Sequence, residues 1–336
     1  MIGYYVHHQG RGHGHRAASV ARALNQPITG ISSAAQPDGW PGEWLQIPRD
    51  DDAPCPADVD AFGQLHWAPQ GDDGLRARMS MVSGWISKAR PRLMVVDVSV
   101  EIALLARLHG VPIVSFVLPG NRGDQSHHLV HQISRALLAA WPASAEGMVT
   151  GLSTEAQSRL VPVGAISRFP ARESLATSHG ERPKVVVLNG AGGSAFTGDT
   201  VDRAQKQASG WDWHFCGMNA DTWLEDPEEL MRSATVMVTQ AGQNSIAEVA
   251  ALRKPAIVIP QPRPFEEQHA TAAVLARQAW PAVVRPQFPE TGWDDVLSAA
   301  AQLDGSKWSA WCDGRGAYRA AAVIDRELAL VASEES

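Results

Sequence analysis

The sequence predicts an α/β protein made of two Rossmann-like parallel-sheet domains that face a cleft. Short apolar runs of strand length alternate with helical stretches along the 336 residues, as in sheets built from βαβ units. The pattern starts afresh at KVVVLN, 184–189, after a polar segment at 163–183 that contains Pro170 and Pro183 and has no clear period. The chain is also longer than one typical domain, and two domains of roughly 150 residues are the natural division. The expected boundary lies near residue 170, giving domains 1–168 and 169–336. Open parallel sheets bind ligands outside the carboxyl ends of their strands, so the site is expected where strands run into loops.

In the first half, the apolar runs predict strands at 2–8, 28–32, 93–97 (LMVVD) and 112–118 (PIVSFVL), rich in the β-branched and aromatic residues that suit a pleated surface. Helices are expected at 14–25, 73–90, 99–109 and 125–138. In the second half the strands are 184–189, 211–216 (WDWHFC), 235–239 (TVMVT) and 255–260 (PAIVIP). An amphipathic helix at 315–332 closes the chain and is able to pack on either domain. No low-complexity tract and no repeat of 20–50 residues interrupts this order.

Composition narrows the function classes. A hydrophobic content of 44% with 19% charged residues describes an ordinary globular core. The net charge of −7 argues against a nucleic-acid partner, which calls for a basic face. Cys55, Cys216 and Cys312 are odd in number and far apart, matching neither a zinc nor a disulfide pattern and fitting a reducing cytoplasm. No apolar run approaches the roughly 20 residues of a bilayer span, and a strand-like segment at residue 2 leaves no room for a signal peptide. The expectation is a cytoplasmic protein without a transmembrane segment. The segment 128–141, HLVHQISRALLAAW, suits a core helix or a peripheral apolar patch at a membrane equally well.

The chemistry concentrates in QAGQNSIAEVAALRKPAIVIPQPRPFEEQ, 240–268. A strand end, the turn at Gly242 and a short helix place Gln243, Asn244 and Ser245 at a helix start, where free N–H groups and the helix dipole attract phosphate. Glu248, one turn further in, is placed to accept hydrogen bonds from two adjacent hydroxyls such as those of a ribose. A second glycine loop, NGAGGSAFTGD at 189–199, carries Gly190, Gly192, Gly193 and Ser194. Its amides suit a phosphate, and it is not a Walker loop. Trp223, with the Leu224 backbone beside it, suits a flat base or a partly buried surface position.

The first strand runs into HHQGRGHGHRAASVARAL, 7–24. Gly10, Gly12 and Gly14 permit a tight turn and close backbone approach, which places His13 and His15 in a loop at the carboxyl end of the strand. A metal reading of the four nearby histidines is disfavoured, since His7 and His8 should point to opposite faces of the strand and no carboxylate or Cys joins them. His127 and His131 at helical spacing are equally weak as ligands. Two roles fit Asp97 at the end of its strand: orienting His13 as a general base, or capping the next helix.

Taken together these residues resemble the GT-B nucleotide-sugar glycosyltransferases, particularly the MurG-like group in the C-terminal half. GQNSIAEVAALRKPAIVIP resembles the family's donor signature, which implies that Glu248 binds ribose hydroxyls. Glu267-Gln268 is similar to the pair that contacts the donor sugar, Trp223 to an aromatic over uracil, and 190–194 to the diphosphate loop. GRGHGHRAASVARAL is similar to the Gly-rich first loop, with Gly12 on the donor side and His13 where related inverting enzymes have a proposed base. Asp97 stands where the natural-product branch has an Asp partner. The sequence departs from MurG at Arg16, where the group has proline, and at FVLPGNRGDQSHH, 116–128, which replaces the peptidoglycan acceptor motif.

The resemblance implies an inverting, metal-independent transfer of a hexose or N-acetylhexosamine from a UDP-sugar to an acceptor hydroxyl. His13 would be the base, Arg263 a further positive charge near the donor, and no cofactor or metal would be needed. His15, His127 and His128, with Trp40, Trp44 and Trp67, are the legible acceptor-side features. A nucleotide-sugar epimerase or hydrolase on the same fold, and a non-catalytic nucleotide-sugar-binding partner subunit, are the competing readings.

Overall fold

The computed structural model describes residues 1–52, 55–173, 182–189, 196, 198–217, 221–224, 226–277 and 279–334. The first half runs β1 (Ile2–Val6), α1 (Arg11–Ala23), β2 (Ile28–Ser32), β3 (Glu43–Gln46), α2 (Asp73–Ala89), β4 (Leu93–Asp97), α3 (Val100–Leu108), β5 (Ile113–Val117), β6 (Gly120–Asn121), α4 (Gln125–Ile133), β7 (Ala136–Ala139), β8 (Val149–Thr150), α5 (Thr154–Ser158) and β9 (Leu160–Pro162). The second half runs β10 (Lys184–Leu188), α6 (Gly198–Gln207), β11 (Asp212–Cys216), α7 (Glu228–Ser233), β12 (Val236–Thr239), α8 (Gln243–Ala251), β13 (Ala256–Val258), α9 (Glu267–Arg277), β14 (Ala282–Val284), α10 (Trp293–Ala301) and α11 (Gly316–Glu334).

Two parallel sheets result. The first has seven strands in the order β3-β2-β1-β4-β5-β7-β9, and the second five in the order β11-β10-β12-β13-β14. Each changes direction in strand order next to its first strand, at β1/β4 and β10/β12, and such switch points open a crevice at the carboxyl ends. The central strands are buried along their whole length, as parallel strands covered by helices on both faces must be. That explains why they read as continuous apolar runs.

Three expected elements shift, and several short strands appear that no expectation covered. The first strand stops at Val6 rather than 8, and the helix expected from 14 already starts at Arg11. The helix expected over 125–138 ends at Ile133, and Ala136–Ala139 forms β7 instead. An apolar run buried on every side looks alike as helix or strand, and the extended Ser134 (ψ 139°) makes the break. The short strands β3, β9 and β14, of three or four residues each, are too brief for a periodicity signal.

One apolar cluster joins the two halves, running from Val117 and Leu137 through Trp141 and Met148 to Met237, Ile246 and Val274. The last helix returns to the first half: Ala320, Ile324 and Leu328 of α11 pack with Val20 and Ala21 of α1 and Leu138 of β7. Arg135 next to β7 donates to Glu327 at 3.2 Å and holds the helix in place. Among the described residues no helix is long and apolar enough to cross a membrane.

Candidate active site

The site begins where β1 and β4 end side by side, with Val6 in register with Asp97. Gly10, at φ +88°, makes the turn into α1, a conformation that favours glycine. His13 therefore stands on the first turn of a helix, not in a loop, and His15 half a turn further on. Because β1 has ended, the strict alternation of a strand no longer applies to His7 and His8. Their rings lie parallel, 5.1 Å apart, instead of on opposite faces.

Asp97 does not cap the helix that follows. Ser99 does that, accepting from the Ile102 amide at 3.2 Å. The carboxylate faces α1 instead: His13 Nδ1 lies 2.9 Å from Asp97 Oδ1, while Arg16 donates from Nη2 to Oδ1 at 2.6 Å and from Nε to Oδ2 at 3.2 Å. Burial alone would raise the Asp97 pKa, but the Arg16 guanidinium and His13 outweigh it and hold the carboxyl well below the usual range. Burial likewise opposes the charge on Arg16, and Asp97 more than compensates. An ionised Asp97 makes His13 donate from Nδ1, leaving Nε2 with its lone pair free to accept a proton. The residue after Asp97, Val98, sits at φ 61°, a strained backbone for a β-branched side chain.

Arg16 is buried to 2% exposure, and its Nη1 donates across the cleft to Gln243 Oε1 at 2.6 Å. It thus ties the His13–Asp97 pair to the start of α8. The sequence marked Arg16 only as a departure from a family pattern. Its three-residue spacing from His13 is the helical signal that an earlier helix start would have exposed.

The start of α8 lines a cavity of about 250 Å³ between the two sheets. Gly242 precedes the helix without a side-chain cap, and Gln243, Asn244 and Ser245 line the cavity at the helix start, the positive end of its dipole. Gly12 lies so close to this turn that a Cβ there would collide with the side-chain carboxamide of Asn244. Trp223, 36% exposed, and Leu224 line the far end. The guanidinium of Arg11 lies 4.8 Å over the Trp223 ring.

Glu248 is buried, which raises its pKa, and it accepts from Arg168 Nε at 2.8 Å. Arg168 comes from the segment read as a featureless linker, and only the fold brings it into the cavity. Gln268 accepts from the Gln261 amide at 2.9 Å and donates to Gln240 at 3.3 Å. Arg263 also donates to Gln240, at 3.4 Å, and Glu267 lies 3.7 Å from Arg122 of the first half. Gly190, Gly192, Gly193 and Ser194 lie outside the described residues; their neighbour Asn189 lines the cavity.

A second cavity of about 540 Å³ opens on the other side of His13, and the two share His13, Leu118, Arg263 and Glu267. Phe265, at φ 59°, closes it from the second half. The Phe265 ring lies 5.5 Å from His66 and 4.7 Å from His127, with Arg122 4.9 Å over its face. His127 donates from Nδ1 to Asp124 and accepts from Arg122 at 3.1 Å. Burial is the chief reason its pKa falls to about 3. Two His/Asp groups with ligand-like spacing occur among the described residues, His66–Asp124–His127 and His8–Asp50–Asp51. In each, a guanidinium already occupies the polar side: Arg122 at His127, and Arg78 at Asp50.

The acceptor-side expectations divide. His15 lines the first cavity, not the second, and its pKa falls to about 4 through burial and the nearby Arg168 and Arg11. His127 stands behind Phe265. His128 lies 2.8 Å from the Gly151 carbonyl and lines neither cavity. Trp67 lines the second cavity, whereas Trp40 and Trp44 pack on each other beneath α1.

Comparison with known proteins agrees with the fold. Residues 177–287 match the family described as the glycosyltransferase family 28 C-terminal domain. The chain is 26% identical over 255 residues to the UDP-N-acetylglucosamine–N-acetylmuramyl-(pentapeptide) pyrophosphoryl-undecaprenol N-acetylglucosamine transferase of Methylococcus capsulatus, the alignment covering 69% of this chain and 66% of that protein. It is 27% identical over 232 residues to the same transferase of Neisseria meningitidis serogroup C, covering 62% and 63%. The matched region is thus just under two thirds of each relative's length. Among solved structures, a glycotransferase of kitacinnamycin superposes with a TM-score of 0.66 at 15% identity, covering 97% of this chain and 98% of that one. Acinetobacter baumannii MurG superposes with a TM-score of 0.60 at 13% identity, covering 97% and 99%. The GT-B architecture and the MurG-like resemblance of the second half both hold.

Proposed function

We propose that the protein is an inverting, metal-independent glycosyltransferase that moves a hexose or N-acetylhexosamine from a UDP-sugar to an acceptor hydroxyl. Residues 1–168 would carry the acceptor side and 169–336 the donor side. The observation that carries this reading is the position of His13, oriented by Asp97 and Arg16 at the junction of two cavities. One of them is built around a helix start suited to a diphosphate. The names of the aligned relatives support UDP-N-acetylglucosamine as the first donor to try.

The acceptor hydroxyl gives its proton to His13 Nε2 as its oxygen attacks the anomeric carbon from the side of the second cavity. The bond from that carbon to the diphosphate oxygen breaks on the opposite side, so configuration inverts. Asp97, kept ionised by Arg16, stabilises the imidazolium that forms. The leaving diphosphate is met by the amides of Gln243–Ser245 and by Arg263. One preorganised donor of this type contributes about 3 kcal/mol, so a few suffice without a cation. Glu248 takes the ribose hydroxyls, which requires Arg168 to share or yield its oxygen, and Trp223 stacks on the base.

The test is UDP release from UDP-N-acetylglucosamine with pooled acceptors, together with a thermal-shift titration with UDP. UDP at 100 times its Kd stabilises a protein by about 2.7 kcal/mol. No shift with UDP would sink the donor assignment. Near-normal turnover by His13→Ala would sink the base assignment, and UDP binding without turnover on any acceptor would favour the non-catalytic partner reading.

A further inference from the structure

The far end of the first cavity is built from both halves of the chain, and we infer that Arg11 of the first half closes over the nucleobase and holds it against Trp223 of the second. This rests on the donor reading above, because it takes Trp223 as the stacking partner of the base.

Arg11 opens α1 and lines the same cavity as Trp223. Its guanidinium lies 4.8 Å over the Trp223 ring and, among the described residues, makes no hydrogen bond or ion pair. The aromatic face is therefore what holds it, through the attraction of a cation to the ring quadrupole. Both backbones are fixed. On the side of α1, Gly12 lies against the Asn244 side chain, and Arg16 donates to Gln243 at 2.6 Å. On the other side, the Gly217 N–H donates to the Thr222 carbonyl at 2.9 Å and closes the turn before Trp223. Gly217, at φ +79°, runs beside the ring, where a Cβ would stand 3.7 Å from Trp223 Cζ3. The part free to adjust is the Arg11 side chain, with its string of single bonds.

A flat base needs about 3.5 Å to each face it stacks on. Between the ring and the guanidinium it calls for about 7 Å, against the 4.8 Å of the empty site. Arg11 therefore lifts by about 2 Å when a base enters. A guanidinium plane stacks on any flat π-face, so the lift exchanges the indole for the base and costs Arg11 no contact. Leaving the ring for water would give that contact up. The sandwich is the arrangement that keeps every face covered, and it makes the base pocket complete only when the first half is in place.

Titration calorimetry of the full chain with UDP and with UMP tests this, on wild type, Arg11→Ala and Arg11→Lys. Arg11 is exposed, so both variants keep the fold. Expected for Arg11→Ala is binding weakened about 3- to 10-fold, by the same factor for UDP and UMP, since both carry the base. Arg11→Lys should remain weaker than wild type, because an ammonium keeps the charge but has no plane to stack. Full recovery in Arg11→Lys, or a loss larger for UDP than for UMP, would assign Arg11 to the phosphates and overturn the inference. Unchanged or tighter binding by Arg11→Ala would overturn it as well, since Arg11 would then only cover the ring of the empty site. A wild-type chain that binds neither nucleotide refutes instead the donor reading beneath it.

Discussion

Arg16→Met removes the guanidinium that neutralises Asp97 and leaves a similar volume. In the native chain the two side chains are 1% and 0% exposed and joined by bonds of 2.6 and 3.2 Å. Removing one partner of a buried pair strands the other charge and costs about 3–5 kcal/mol, a large share of the roughly 5–15 kcal/mol that holds a domain. At about 2–4 °C per kcal/mol for domains of this size, the melting temperature should fall by about 6–20 °C at pH 7.5. The double variant Arg16→Met/Asp97→Asn should recover most of that loss, because the stranded charge is gone. The pH dependence has a definite sign. Arg16 and His13 hold native Asp97 below its unfolded value, so its contribution is present above about pH 4 and is lost only as pH falls further. Without Arg16, burial dominates and the folded value rises, so the deficit of the single variant should shrink as pH approaches 4. Scanning calorimetry of wild type, both single variants and the double variant at pH 7.5 and 4.5 measures this. A double variant no more stable than Arg16→Met, or a deficit unchanged by pH, would refute the stranded-charge reasoning.

Glu248→Gln should weaken UDP about 10- to 100-fold by calorimetric titration, since a hydrogen bond to a charged acceptor is worth about 1.5–3 kcal/mol; an unchanged Kd would remove Glu248 from the ribose. Trp223→Ala should cost about 1–3 kcal/mol of stacking, and the loss should be equal for UDP and UMP, because both carry the base. Gly12→Ala places a Cβ against the side-chain carboxamide of Asn244, whereas one on Gly14 meets only Pro37 at 3.5 Å. Turnover should therefore fall in the first, where the Asn244 side chain has to swing aside, and stay near wild type in Gly14→Ala. Burial holds four histidines neutral, His7 and His127 at about 3 and His15 and His131 at about 4. Because the unfolded chain binds those protons below about 6.5, the melting temperature should drop steadily from pH 6.5 to 4.5, and a flat profile over that window would contradict it.

Which elements the sequence exposed follows from how their signals arise. The central strands of both sheets are continuous apolar runs because parallel strands are buried on both faces, and composition alone reveals that. The helix start at 243–245 and the acid at Glu248 were legible because glycine, amide, hydroxyl and acid at helical spacing are local chemistry. Short strands such as Glu43–Gln46 and Ala282–Val284 had no such mark: a few residues carry no period, and their pairing comes from a neighbour distant in sequence.

The amino-acid order by itself determined two parallel-sheet halves, a glycine-led helix start in the second and a histidine just beyond the end of the first strand. Only the tertiary structure decided what those histidines and acids touch. Asp97 had two open roles until the β1–β4 pairing set it against α1. His7 and His8 changed faces because the strand stopped one residue before them. Arg16, Arg168 and Asp51 acquired their partners 81, 80 and 43 residues away. Local sequence sets backbone geometry over a turn or two, whereas the protonation and partners of a buried charge depend on what the fold packs against it.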